Sequence, residues 1–229
     1  MEMKEIIREI KKKLRTRENG PASEAMENLG IKYKKNHGLS VRQIKDIAFE
    51  YLNNHELALE LYKEDIRELK IMSYIIENSQ TVSPEQINEW VNDLKNTEQA
   101  EQIAINLIVF NPNFYSKVFE WAESSNEYVR RTAFVLIARI AMYQKKDLNN
   151  DEYKKYIELC IVKSKDNNIH VAKAISWALR RIGRLNTELY NIVLETAEEI
   201  AYYKADYTQL ISEEVSYELN DGMIKSMIH

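Results

Sequence analysis

Two segments of this chain carry the same residue pattern 42 positions apart, residues 126–133 and 168–177. Each follows a short polar break and opens a long stretch with helical spacing of apolar residues. The offset aligns Val129 with Val171, Arg131 with Lys173 and Arg139 with Arg181. A period of this length is typical of stacked helix pairs, in which each pair buries its apolar side only against its neighbours. We therefore expect a HEAT-like helical array.

The rest of the chain also reads as helices separated by polar breaks. Ser40 with Gln43, and Ser83 with Pro84, are start signals, while Gly20-Pro21 is expected to end the first helix. The expected helices are a first one up to Gly20, then 22–29, one after Ser40, 55–63, 65–77, one after Ser83, 98–110, 113–122, 127–143, 151–164, 168–182, 187–203 and 207–219.

No segment alternates polar and apolar residues over a strand's length, so the predicted fold class is all-α, a HEAT-like helical-repeat solenoid. We expect a single domain over 1–229 with a repeat core of roughly 40–220, and frayed residues from Asn220 onwards.

Charge and residue counts narrow the possible functions. The formal net charge of −4 argues against indiscriminate nucleic-acid binding, although screening leaves room for a local basic face. Cys160 is the single cysteine, which excludes an internal disulfide and predicts a buried thiol. The four histidines lack paired-ligand spacing, so no metal site is expected. No apolar run is long enough to span a membrane, and a cytoplasmic protein is expected.

Three segments resemble a known family: 36–48 with Gly38 in a helix entry, 128–133 with Arg131, and 173–181 with Trp177. In this order and spacing the chain resembles the AlkD-like DNA alkylation-repair glycosylases, over roughly residues 30–200. The resemblance implies HEAT-like repeats that hold duplex DNA in a concave, positively charged cleft. Arg131 matches the family's cleft arginine, and Trp177 matches one of its two cleft tryptophans.

The family's catalytic aspartate does not carry over. Our alignment places Gln102 at the aspartate position and Glu98 at that of the second tryptophan. A neutral amide supplies a dipole where the family places a full negative charge against the developing positive sugar, and losing such a group costs about 10²–10³ in rate. Glu98 lies one turn before Gln102 on the same helix face. Its carboxylate could reach the site, but from a different backbone position than that of the family's aspartate.

The candidate site residues follow from these matches. The catalytic candidates are Glu98, Gln102 and Trp177, and the DNA-binding candidates are Arg131, Lys173, Trp177, Arg180 and Arg181. Several have a plainer interpretation. Arg131 pairs with Glu127 four residues away, and Trp177 lies in the core. Glu98 and Gln102 open a helix, whose positive dipole end favours acidic residues, while Arg180 and Arg181 close a helix, whose negative end favours cations. Trp90 and Trp121 are expected in the core.

The predicted function is duplex DNA binding by a monomer without cofactor or metal, with base excision in doubt. One alternative is a non-catalytic protein that binds branched or damaged DNA by shape. Another is a scaffold that holds a protein partner, as many helical solenoids do, and the acidic balance of the chain favours this one.

Overall fold

Helices and their connecting turns make up the computed structural model, which describes residues 2–143 and 148–228. Those residues contain no β-strand, only one isolated bridge between Lys35 and Ile66. The chain divides into two compact units, Met1–Asn111 and Pro112–His229. The sequence had indicated no boundary, and the single domain expected over 1–229 stays a prediction.

The first unit contains seven α-helices within its described residues, and a 3-10 turn follows α3 and another follows α7. The helices are α1 (Met3–Arg15), α2 (Gly20–Asn28), α3 (Val41–Ala48), α4 (His55–Tyr62), α5 (Arg67–Ile76), α6 (Pro84–Asn92) and α7 (Thr97–Asn106).

The second unit also has seven α-helices among the residues described. They are α8 (Lys117–Trp121), α9 (Glu127–Tyr143), α10 (Asn150–Lys163), α11 (Ile169–Ile182), α12 (Thr187–Tyr202), α13 (Thr208–Leu219) and α14 (Gly222–Ser226).

The polar start signals act as expected from the sequence. The Ser40 hydroxyl accepts the Gln43 amide at 3.3 Å, and the Gln43 side chain accepts the Ser40 amide at 2.9 Å, which forms the predicted capping box. The Ser83 hydroxyl accepts the Gln86 amide at 3.1 Å ahead of Pro84. These bonds satisfy amides that have no partner within the helix, and so they fix where α3 and α6 begin.

Two expectations about helix ends are wrong. The first helix ends at Arg15, and Gly20-Pro21 opens α2, because a proline in the first turn has no amide hydrogen that needs a partner there. The residues after Asn220 are not uniformly frayed, since the Asp221 carboxylate caps α14 by accepting the amides of Met223 and Ile224.

α9 and α11 form the centre of the second unit and pack against each other. Both are apolar on several sides because other helices surround them: α8 lies against α9, while α10, α12 and α13 lie against α11. Small residues such as Ala138 and Ala174 are buried in these helices and permit close approach. The two segments that lie 42 residues apart in the sequence therefore open two helices, α9 and α11, that pack against each other.

Several core predictions are confirmed. Trp90 and Trp121 are buried, and so is Cys160, whose thiol has a pKa raised by that burial. No described helix is long and apolar enough to cross a membrane.

Candidate nucleic-acid interface

One face of α11 carries a cation, an aromatic ring and a second cation at intervals of four residues: Lys173, Trp177 and Arg181. Residues at this spacing lie on the same side of a helix. Lys173 is exposed, while Trp177 and Arg181 are partly exposed. Trp177 is thus not sealed in the core, and Lys173 forms no ion pair with any residue the structure describes.

α9 adds two arginines beside this face. The guanidinium of Arg131 donates to the carbonyl of His170 in the first turn of α11. The guanidinium of Arg139 lies over the Tyr143 ring, 4.6 Å from its centre. It is also close enough to Arg181 for the two positive charges to repel each other. We call the set Arg131, Arg139, Lys173, Trp177 and Arg181 the basic face.

Arg181 lies among several other arginines. Burial lowers the pKa of its guanidinium, and the positive charge of Arg184 lowers it further. Glu218 opposes this effect, while Arg180 and Arg139 add to it. Arginine stays charged at neutral pH, so the lowered pKa reflects first the burial of this charge and then the neighbouring arginines, which Glu218 only partly balances.

Arg180 was predicted as a DNA contact, but the structure engages its guanidinium within the protein. It lies 2.5 Å from a Glu218 carboxylate oxygen and 3.8 Å from one of Glu214, both on α13. Glu214 also accepts the Ser176 hydroxyl at 2.6 Å. The hydrogen-bonded pairs Ser176 with Glu214 and Arg180 with Glu218 are each 38 positions apart, and through the second pair α13 neutralises a charge of α11.

Arg130, next to Arg131, has a structural position. Its guanidinium makes two hydrogen bonds to Asp166, at 2.6 and 3.2 Å, and two to the carbonyls of Ser124 and Ser125 at 3.0 Å. It therefore ties the turn before α9 to the turn before α11. Arg130 and Arg131 are neighbours in the same motif, but Arg130 holds the structure together whereas Arg131 belongs to the basic face.

Glu98, in the first unit, is paired with a buried arginine, Arg67, that no sequence motif identifies. The Arg67 guanidinium donates to both carboxylate oxygens, at 2.8 Å from Nε and 2.6 Å from one Nη. Only 2% of the Arg67 side chain and 11% of the Glu98 side chain are exposed. A two-bond pair in this setting fixes the carboxylate and balances its charge.

The same arginine connects Glu98 to the loop before α3. Arg67 also donates to the Leu39 carbonyl at 2.7 Å and contacts the fully buried Glu68 at 3.2 Å. Glu68 in turn accepts the amides of His37 and Leu39 at 3.1 and 3.2 Å. The network joins α5, α7 and the glycine-containing loop, and its two carboxylates against one guanidinium make Arg67 essential to it.

Gln102 occupies the position of the family's aspartate and interacts with its own helix. Its side-chain oxygen accepts the Asn106 amide group at 2.8 Å, and its carbonyl accepts the same group at 2.9 Å. Both the amide and the nearby carboxylate of Glu98 therefore have partners. No set of three or more metal-ligating side chains converges in residues 2–143 and 148–228.

Comparisons with known proteins agree with this architecture. Residues 10–208 match the profile of a family described as "DNA alkylation repair enzyme". A solved structure described as "a new family of proteins related to the HEAT-like repeat DNA glycosylases with affinity for branched DNA structures" superposes with a TM-score of 0.75. The two chains are 15% identical, and the match covers 87% of this chain and 83% of that one. No curated protein matches the sequence. The predicted all-α, HEAT-like fold is confirmed.

Proposed function

The chain belongs to the DNA alkylation repair enzyme family, and we propose that it binds duplex DNA through the basic face without efficient excision of bases. The observation that carries this proposal is the run of Lys173, Trp177 and Arg181 along one side of α11, with Arg131 and Arg139 of α9 beside it. Cations spaced along packed helices suit a regular row of phosphates, and this interaction does not depend on sequence.

Trp177 gives the basic face a way to recognise distorted DNA. A partly exposed indole among cations lies well against a sugar or an unstacked base, since aromatic stacking on nucleotides tolerates any base. Branched and damaged duplexes offer such unstacked groups, and they deform at low cost. The affinity for branched DNA stated for the structural relative supports this preference. The family resemblance further predicts that the duplex lies in a concave groove.

Weak excision is proposed from the state of the two residues at the catalytic positions. The Glu98 carboxylate is held by Arg67, which neutralises the charge that would stabilise a positively charged sugar. Gln102 carries no charge, and its amide oxygen is taken by Asn106. Neither group supplies the negative field on which the family's chemistry depends.

Binding is tested by fluorescence anisotropy with a plain duplex and a four-way junction of equal length, each at two salt concentrations. We expect tighter binding to the junction and a steep loss of affinity with salt, because phosphate contacts release counterions. Trp177→Ala should remove most of the junction preference, by about ten-fold or more, since stacking contributes about 1–3 kcal/mol per base.

The matched control is Tyr202→Ala, which removes another exposed aromatic ring of the second unit, at the end of α12. Equal effects of the two substitutions would contradict a specific role of Trp177. Failure of the wild-type protein to bind either DNA would contradict the proposed function and favour the protein scaffold.

Excision is tested separately by incubating the protein with methylated DNA and measuring released 7-methylguanine and 3-methyladenine. We expect release near that of the uncatalysed reaction. Gln102→Asp restores a carboxylate at the family's catalytic position and should raise release if the rest of the site is competent. Rapid release by the wild-type protein would contradict the proposed lack of efficient excision while leaving DNA binding intact.

A further inference from the structure

A cavity of about 250 Å³ lies in the second unit, where the C-terminal ends of α9 and α11 meet α14. Two guanidinium side chains line it, those of Arg181 and Arg184. Its other walls are apolar and include Met142, Ile224 and Met227. Because Arg181 also belongs to the basic face, the cavity continues that face at its end nearest the C-terminus of α11.

Positive charge exceeds negative charge around this cavity. Arg184 pairs with Glu218 at 2.5 Å, but Arg180 uses the other oxygen of that carboxylate. Arg181 has no such ion pair in the part of the chain that the structure describes, and Arg139 adds a further cation near it. An anion placed between Arg181 and Arg184 would therefore relieve repulsion between like charges.

Two buried donors at this site also lack protein partners. The Nε–H groups of Arg181 and Arg184 are inaccessible and donate to no acceptor among residues 2–143 and 148–228. An unmet buried donor costs about 1–3 kcal/mol, and more on a charged group. Such unmet donors are rare in folded proteins. The outer nitrogens of the same two guanidinium groups are the ones available to an anion in the cavity, and phosphate is an anion whose geometry matches a guanidinium.

The volume of the cavity and its apolar lining limit further which ligands it can bind. The cavity lies just below the range of about 300–1,000 Å³ typical of sites for drug-sized molecules, so it suits one small organic anion. Inorganic phosphate would leave the apolar wall of Met142 and Met227 uncovered, whereas a flat base would cover it, and polarizable thioethers pack well against aromatic rings. A single nucleotide combines the two required groups.

We propose that this cavity takes one unpaired nucleotide of a DNA strand, with the phosphate at Arg181 and Arg184 and the base against Met142 and Met227. The proposal rests on the proposed function, because the basic face would bring such a strand to the cavity. It adds a specific site for the strand end or displaced nucleotide that a branched duplex provides.

The test compares a blunt duplex with the same duplex bearing a short single-stranded tail. We expect the wild-type protein to bind the tailed duplex more tightly. Met227→Glu introduces a carboxylate at the cavity wall and should weaken binding of the tailed duplex by about ten-fold, with little change for the blunt one. Met227 is 63% exposed, so the substitution should not disturb folding.

Met223→Glu is the matched control, since it adds the same charge four residues earlier, within α14, at a position that is 68% exposed and outside the cavity. Ala141→Leu provides an uncharged counterpart, because Ala141 lines the cavity and a larger side chain would fill it. Equal effects of Met227→Glu and Met223→Glu, or equal wild-type binding of tailed and blunt duplexes, would overturn the proposal.

Deoxythymidine monophosphate tests whether a single nucleotide occupies the same cavity as the tail. It should compete with the tail in the wild-type protein, and inorganic phosphate should compete much less. Equal competition by phosphate would reduce the site to a simple anion site, and nucleotide binding without any tail preference would assign it to a free nucleotide. Either result overturns the proposal, whereas failure to bind blunt duplex overturns the proposed function alone.

Discussion

At the scale of single residues, the most informative contact is the one between Arg67 and Glu98. The sequence shows a carboxylate in the first turn of a helix, which the helix dipole also favours. The structure shows that this carboxylate completes a buried network with a guanidinium 31 positions away in the chain. Local sequence pattern carries no information about such a partner, and for that reason Arg67 was missed.

Glu98→Gln is expected to destabilise the first unit rather than to change any chemistry. It leaves the buried Arg67 with a weaker partner and should lower the free energy of unfolding by about 2–4 kcal/mol. Chemical denaturation measures the change, and Glu85→Gln is the control because Glu85 is an exposed acid in the first turn of α6. Equal stability of the two variants would contradict the structural role of Glu98.

Gly38 is a second residue whose identity the backbone dictates. Its φ of +74° lies in the left-handed region, and an added Cβ would lie 2.0 Å from the Asn19 carbonyl oxygen. Gly38→Ala should therefore cost well over the about 1–2 kcal/mol of the left-handed conformation alone. Gly30→Ala isolates that smaller cost, since Gly30 has φ of +83° and open space around it. Thermal denaturation measures both costs. Equal decreases in the midpoint temperatures of Gly38→Ala and Gly30→Ala would contradict the steric role of Gly38.

At the scale of helices, the sequence identified starts better than ends. Side-chain caps such as Ser40 and Ser83 act within four residues, so they are visible in the sequence. Ends depend on what the next segment packs against. The expected helix 98–110 is α7 only to Asn106, and a 3-10 turn over Ile108–Phe110 follows it with all but the last of its residues buried.

The packed helices α4, α5 and α6 share an aromatic cluster that makes a pH-dependent contribution to stability. Tyr62 stacks on Trp90 with ring centres 4.3 Å apart, and Tyr74 lies 5.7 Å from the same indole. Burial raises the pKa of both tyrosines, and the nearby Asp93 carboxylate raises that of Tyr62 further. Both phenols therefore remain protonated in the folded protein at pH values where they ionise in the unfolded chain.

Stability should consequently fall as the pH rises above 10. The unfolded chain binds fewer protons there, so the slope of the unfolding free energy with pH is negative, and at pH 10.5 each such tyrosine costs about 1 kcal/mol. Lys70, whose pKa burial lowers, acts in the opposite direction in that range.

Denaturant unfolding at pH 8.5 and 10.5 measures the loss, and Tyr74→Phe should reduce it without lowering stability at pH 8.5. The hydroxyl of Tyr74 has no hydrogen-bond partner in the described residues, so its removal leaves no group unsatisfied. An unchanged loss in Tyr74→Phe would contradict the assignment.

At the scale of the whole molecule, the repeat offset predicted the fold, and the order of the motifs predicted the family. The boundary at Asn111–Pro112 was not predicted, because a division into units reflects how densely distant residues pack rather than a break in local pattern. The sequence predicted where the cations of the candidate site lie, but not which of them form ion pairs with carboxylates. Lys173 has no ion pair among the described residues, whereas Arg180 is neutralised from α13, and only the fold distinguishes the two.

This difference leads to a test of whether DNA binding depends on total charge or on the local face. The chain carries a formal net charge of −4, so duplex DNA is repelled by the average charge, and attraction must come from within about 8 Å, the screening distance at physiological salt. Lys173→Gln and Lys165→Gln change the net charge equally. Lys165 lies over the Tyr203 ring, 4.0 Å from its centre, and is not part of the basic face.

If the basic face binds phosphates, Lys173→Gln should weaken binding at every duplex sequence and reduce the slope of log affinity against log salt by about one. Lys165→Gln should leave the slope unchanged. Anisotropy titrations at four salt concentrations give both slopes. Equal reductions would mean that net charge governs binding, and no reduction in either variant would place the DNA contacts away from α11.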